Sequence, residues 1–103
     1  MRIDLLHIDA CPNTGVARAR LESALTALGH SDIPVNMRLL ETPSDMAGTG
    51  FAGSPTITVD GADIFPTGAP AHELACRIYA TPGGLAGVPT LDQITEALKR
   101  LGL

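Results

Sequence analysis

The stretch "GSPTITVDGADIF", Gly53 to Phe65, fixes more of this chain than any other. "PTITV" is rich in β-branched residues and too short for a helix, which predicts a strand. Asp60-Gly61 then fits a two-residue hairpin turn, whose central positions need positive φ and favour aspartate and glycine. "ADIF" follows as a strand antiparallel to the first. An isolated hairpin is barely stable in water, so this one needs a sheet to join.

The preceding half supplies that sheet. "RIDLLHI" (Arg2 to Ile8) reads as a strand buried on both faces. Val16, Ala17, Leu21, Ala24, Leu25 and Leu28 follow helical spacing, and Gly29 stops the helix. "PVNMRLL" (Pro34 to Leu40) is a second strand, which makes a right-handed βαβ unit with parallel strands. Thr42-Pro43 opens a short helix that Gly48 and Gly50 end early. Near the C-terminus Thr90 and Gln93 form a capping box, and Ile94, Ala97, Leu98 and Leu101 form the buried stripe of the last helix. Pro66 to Pro89 holds four prolines and four glycines around "AHELACRIY", whose periodicity fits a strand and a helical turn equally. The predicted order is βαβαββα, with an insertion at 66–89.

Composition narrows the class of function. At 103 residues, 45% hydrophobic and 17% charged, residues 1–103 form a single α/β domain. The net charge is −4 and the seven Lys and Arg are scattered, which argues against a nucleic-acid or anionic membrane partner. No apolar run approaches the ~18 residues of a membrane span. The first residues carry Arg2, Asp4 and Asp9, unlike a signal peptide. A cytoplasmic protein whose two cysteines rest as thiols is the expectation. Cys11 and Cys76 lack zinc-finger spacing, and His7, His30 and His72 complete no metal signature.

The element order, with Cys11-Pro12 at the first strand-to-helix turn, resembles the thioredoxin-like fold: a four-stranded mixed sheet flanked by helices. Ser54-Pro55-Thr56 matches that fold's active-site proline, which the resemblance implies is cis and lies against Cys11. The motifs Cys11-Pro12-Asn13, Gly53 to Thr56, Cys76-Arg77-Ile78-Tyr79 and Gly84 to Pro89 are similar to those of a family of small thioredoxin-like proteins. Some of its members are labelled alkylmercury lyase or mercury-resistance-associated. A dithiol motif of that fold would place its second cysteine at position 14, where this chain has Thr14.

Chemistry therefore centres on Cys11. A thiol at the start of a helix meets unpaired N–H groups and the positive end of the macrodipole, which favour the thiolate. Such placement lowers a cysteine pKa from ~8.5 into a range of roughly 3.5–7.5. Pro12 suits the first helical position because it lacks an N–H. Thr14 can offer the sulfur a hydroxyl, or it is simply a solvated residue of the first turn. The alternative for Cys11 is a buried, inert residue at a strand end.

Because the third strand runs antiparallel to the first, Pro55 begins it on the edge where the first strand ends. The insertion leaves from the same edge, so its 24 residues are placed to cover Cys11 as a lid. Cys76 then acts as a resolving thiol or second soft ligand, with Arg77 adding positive charge, or it merely packs the lid. Asp9 is a candidate proton carrier or a turn residue. His7 reads as a core residue, His72 has no distinguishing spacing, and Tyr79 and Phe51 read as core anchors.

Three functions fit these residues. In the first, a thiol–disulfide oxidoreductase needing no bound cofactor, Cys11 attacks a protein or low-molecular-weight disulfide. Pro55 and the adjoining backbone hold the substrate as an added strand, and Cys76 or an external thiol releases it. In the second, Cys11 and Cys76 bind a soft metal such as mercury or an organomercurial. Cleavage of a carbon–mercury bond would also need a proton from Asp9. The third is a non-catalytic interaction module.

Overall fold

The computed structural model describes residues 1–66 and 74–103. The elements run β1 (Ile3–His7), α1 (Thr14–Ala27), β2 (Val35–Leu39), a 3-10 turn (Pro43–Met46), β3 (Thr56–Val59), β4 (Ala62–Asp63), β5 (Tyr79–Thr81), β6 (Gly84–Ala86) and α2 (Leu91–Arg100). The first four strands form a mixed sheet in the order β2-β1-β3-β4, and β5 and β6 form a separate hairpin. The domain is α/β, with two helices and a four-stranded mixed sheet.

Strand β1 pairs in parallel with β2 and antiparallel with β3, from Ile3 opposite Val59 to Leu6 opposite Thr56. Alternation along β1 sends Ile3 and Leu5 to one face and Leu6 to the other. Ile3, Leu5, Ile57 and Val59 pack under Ala17, Leu21, Ala24 and Leu25 of α1 and Ile94 and Leu98 of α2, so both helices share one core cluster. A second cluster of Leu6, Leu40 and Phe51 is flanked by Ile8, Met46 and Leu74. Each Leu or Ile buried in this way contributes about 1.5–3 kcal/mol. β1 is thus buried on both faces, as expected of a strand rich in Ile and Leu. Asp4 is accommodated among these residues by the Arg2 guanidinium at 2.9 Å.

The hairpin turns as expected, with positive φ at Asp60 (51°) and Gly61 (87°). Strand β4 is shorter than "ADIF": the Ile64 N–H still bonds Ile57, but the Phe65 N–H turns back to the Asp63 carboxylate at 2.9 Å. The second helix is reduced to one 3-10 turn, capped at Thr42 with Pro43 at its first position. Val16 is exposed, because the inward stripe of α1 starts one residue later at Ala17. Leu101 is also exposed, since it caps α2 from outside the helix. The Thr90/Gln93 capping box forms in both directions, and Gln93 Nε2 also donates to Ala80 O at 2.9 Å, tying α2 to β5.

In the ambiguous segment 71–79, the first three residues, His72 among them, lie outside the described residues. The remainder has no helical turn: it bends at Leu74, forms an isolated bridge at Cys76, and enters β5 at Tyr79.

Candidate functional site at Cys11

The site is built from the residues after β1 and the residues before β3. Leu6 opposite Thr56 is the last pair of that antiparallel ladder, so the two chain segments emerge side by side. After β1, the Asp9 carboxylate accepts the N–H of Ala10 at 3.0 Å, and Ala10 takes φ 58°. Asp9 is therefore a turn residue here. The Asn13 carbonyl accepts the Ala17 N–H at 3.0 Å, which makes Asn13 the N-cap of α1. Pro12 thus belongs to the preceding turn and not to the first helical position, and Cys11 precedes the helix by three residues. The turn still closes on the helix, because the Thr14 N–H reaches Cys11 O at 3.4 Å.

On the other side, the Ser54–Pro55 peptide bond is cis, as the resemblance implied. Ser54 Oγ accepts the Ile8 N–H at 3.1 Å, locking the two segments together. Cys11 Sγ makes a long thiol contact to Ser54 O at 3.9 Å. Thr56 Oγ1 donates to Gly53 O and accepts the Ala52 N–H at 3.1 Å, which holds the bend before β3. The Tyr79 hydroxyl donates to Pro55 O, and burial raises its pKa, so it stays a neutral donor.

Burial of Cys11 opposes ionisation, but the Ser54 and Thr14 hydroxyls and the N–H groups of Asn13 and Thr14 favour the charged sulfur. The net effect holds the thiol below its ordinary pKa. Ser54 Oγ receives the Ile8 N–H and therefore keeps its own proton to donate. Thr14 Oγ1 is buried without a hydrogen-bond partner among the described residues. A hydroxyl left in that condition costs stability unless a charge arrives to use it. The thiolate at Cys11 is such a charge.

The insertion meets this site along its backbone. The Ser54 N–H donates to Ala75 O at 2.8 Å, and the Arg77 N–H donates to Ser54 O at 2.9 Å, making an isolated parallel bridge between Ser54 and Cys76. The backbone N–H and C=O of Ser54, next to Pro55, are therefore both paired within the chain. The bridge is close-packed: a Cβ on Gly53, whose φ is 114°, would lie 2.6 Å from Arg77 Cβ. Cys76 is exposed and Cys11 half-buried, and both are free thiols.

Arg77 does not lend its charge to Cys11. Its guanidinium pairs with Asp63 at 2.9 Å, donates to Phe65 O and to Thr56 Oγ1 at 3.5 Å, and lies 4.4 Å from the centre of the Tyr79 ring. The side chain is 4% exposed and Asp63 11%, so the cation is neutralised away from the sulfur.

A second part of the insertion also touches the turn. Gly87 packs on the Asn13 side chain so closely that a Cβ there would meet Nδ2 at 2.1 Å. Arg20 holds the same loop through Pro89 O at 2.9 Å. Gly53, Gly87 and Asp63 escaped the sequence reading. A glycine in each of two motifs was the available signal, but only the folded chain shows what approaches it. Among the described residues, no three or more His, Cys, Asp or Glu gather as a metal site. Compared with family models, curated proteins and solved structures, the chain gives no match.

Proposed function

We propose that the chain is a thioredoxin-like thiol–disulfide oxidoreductase with Cys11 as its nucleophile. The observation that carries this reading is the set of donors around one sulfur: two hydroxyls and two backbone N–H groups lower the pKa of Cys11, and one of those hydroxyls has no other partner among the described residues. The cis Ser54–Pro55 bond beside that sulfur, the strand order and the Cys-Pro turn support the thioredoxin-like part.

In the reaction, the Cys11 thiolate attacks one sulfur of a substrate disulfide. A mixed disulfide forms, the substrate S–S bond breaks, and the departing thiolate takes a proton from water. Cys76, or a low-molecular-weight thiol, then attacks the Cys11 sulfur and releases the second half of the substrate. Residues paired in a β-bridge project their side chains to the same side. Cys76 is the bridge partner of Ser54, whose hydroxyl serves Cys11, which supports Cys76 in the resolving role. A cytoplasmic thiol pool would return the enzyme to its reduced form.

The test is the alkylation rate of Cys11 against pH in the Cys76→Ser variant, followed by trapping with a disulfide. A midpoint below ~8.5 and a stable Cys11 adduct are expected. A midpoint at or above that value, with no adduct, overturns the assignment.

A further inference from the structure

Strand addition requires an unpaired backbone N–H and C=O on the receiving residue, and these supply most of the affinity of that binding mode. Beside Cys11, Ser54 lies beyond the last pair of the β1–β3 ladder, and its carbonyl oxygen is the atom the sulfur touches. Both its N–H and its C=O are already taken, by Ala75 O and the Arg77 N–H.

This occupation is firmly anchored. The strap is fastened by the buried Arg77–Asp63 pair, by Arg77 on Phe65 O and by the ring of Tyr79. Its backbone lies against Gly53, where no side chain would fit. Tyr79, two residues beyond the strap, is itself fixed to Pro55 O. These anchors close the pairing position, while Cys11 itself is only half-buried.

We infer that residues Ala75 to Arg77 are a built-in occupant of the peptide-pairing position, which restricts Cys11 to low-molecular-weight disulfides that need no backbone pairing. This rests on the oxidoreductase reading and names its substrate class. The chemistry balances as for any thiol–disulfide exchange. The Cys11 thiolate forms one S–S bond and breaks that of the small disulfide, whose other half leaves as a thiol. A small thiolate then attacks the sulfur of the bound half, forming a new disulfide with it and releasing the Cys11 thiolate. Arg77 and Asp63 are positioning residues in this scheme, because they hold the strap and touch neither the sulfur nor the substrate.

The experiment compares second-order rates of Cys11 with oxidised glutathione and with a disulfide-linked peptide extended by several residues on both sides of its cysteine. Each rate is divided by that of the same disulfide with a free small thiolate, which cancels leaving-group differences. The wild-type protein should favour the small disulfide severalfold, because the residues flanking the peptide's cysteine meet the segment Ala75 to Arg77 where an open site would pair them. Asp63→Asn, which keeps the bond to the Phe65 N–H but loosens Arg77, should narrow that preference and leave the glutathione rate unchanged.

Equal normalised rates in the wild type overturn the inference and leave the oxidoreductase reading standing. No reaction with either disulfide overturns the reading and the inference together. If Asp63→Asn fails to fold or leaves the ratio unchanged, hydrogen exchange on the wild type decides. A Ser54 amide protected at rest, and deprotected only on reaction with the peptide, supports the strap; a Ser54 amide that exchanges freely at rest refutes it.

Discussion

Cys11 and Arg77 both contact the Ser54 carbonyl, one through its thiol and the other through its backbone N–H, yet the surroundings of their side chains differ. Around Arg77 the charge is already answered, by a carboxylate, a carbonyl, a hydroxyl and an aromatic face. Around Cys11 the donors exceed what a neutral thiol can use, and one of them is idle. The Arg77 charge is paired in the folded protein, although its Nε is buried without a hydrogen-bond partner among the described residues, whereas the donors around Cys11 are used fully only when the sulfur ionises. A buried ion pair that loses one partner leaves an uncompensated charge, while a site built for an anion gives up little when a donor is removed at rest. Fold stability and reactivity should therefore separate cleanly between these neighbours.

The largest expected effect breaks the Arg77 side. Asp63→Leu leaves the guanidinium buried without its carboxylate and should destabilise the protein by about 3–5 kcal/mol. For a domain of this size that is a fall of many degrees in Tm, measurable by calorimetry. A loss below about 1 kcal/mol would mean that Phe65 O and Tyr79 alone satisfy the cation.

Thr14→Val attacks the Cys11 side. It removes a hydrogen-bond donor to a charged group and should slow Cys11 alkylation near neutral pH by roughly threefold to tenfold. The midpoint of the pH profile moves upward. The melting temperature at neutral pH should hold or rise, since the hydroxyl it deletes is buried and unpartnered. A destabilised variant with an unchanged alkylation profile would reverse the comparison and make Thr14 structural.

The smallest effect is in the pH dependence of stability. Cys11 is an acid whose folded-state pKa lies below its unfolded value. Its stabilising contribution is fully present above the unfolded pKa of ~8.5 and is lost as pH falls through the folded value. Between the two, stability should rise with pH, by no more than about 1.4 kcal/mol for each pH unit. Urea unfolding from about pH 6 to about pH 9.5 should show this rise in the wild type and a flatter curve in Cys11→Ala. Parallel curves would mean that folding leaves the affinity of Cys11 for its proton unchanged.

Features governed by near neighbours along the chain were legible in advance. The Asp60-Gly61 turn, the Thr90/Gln93 cap and the buried stripes of both helices, apart from the terminal Val16 and Leu101, depend on residues within a few positions, and they appear where turn chemistry and helical spacing put them. Where an element was overestimated, a single local residue accounts for it. Asp63 bends β4 away by capturing the Phe65 N–H, and Asn13 in place of Pro12 opens α1.

The candidate site divides along the same line. By itself the sequence determined an α/β domain and a cysteine at a strand-to-helix turn, because periodicity, caps and turn residues act over short stretches. It also brought Cys11 to the edge shared with Ser54 and Pro55, since antiparallel pairing of β1 and β3 leaves no other arrangement. Tertiary structure alone decided what the insertion does there. Arg77 could have faced the sulfur or the sheet, and its choice depends on Asp63 and Thr56, 14 and 21 residues away. The backbone pairing beside Pro55 was decided in the same way, by a bridge from Cys76 to Ser54. No periodicity encodes such a bridge, because it needs only one N–H, one C=O and a glycine with room for a neighbour.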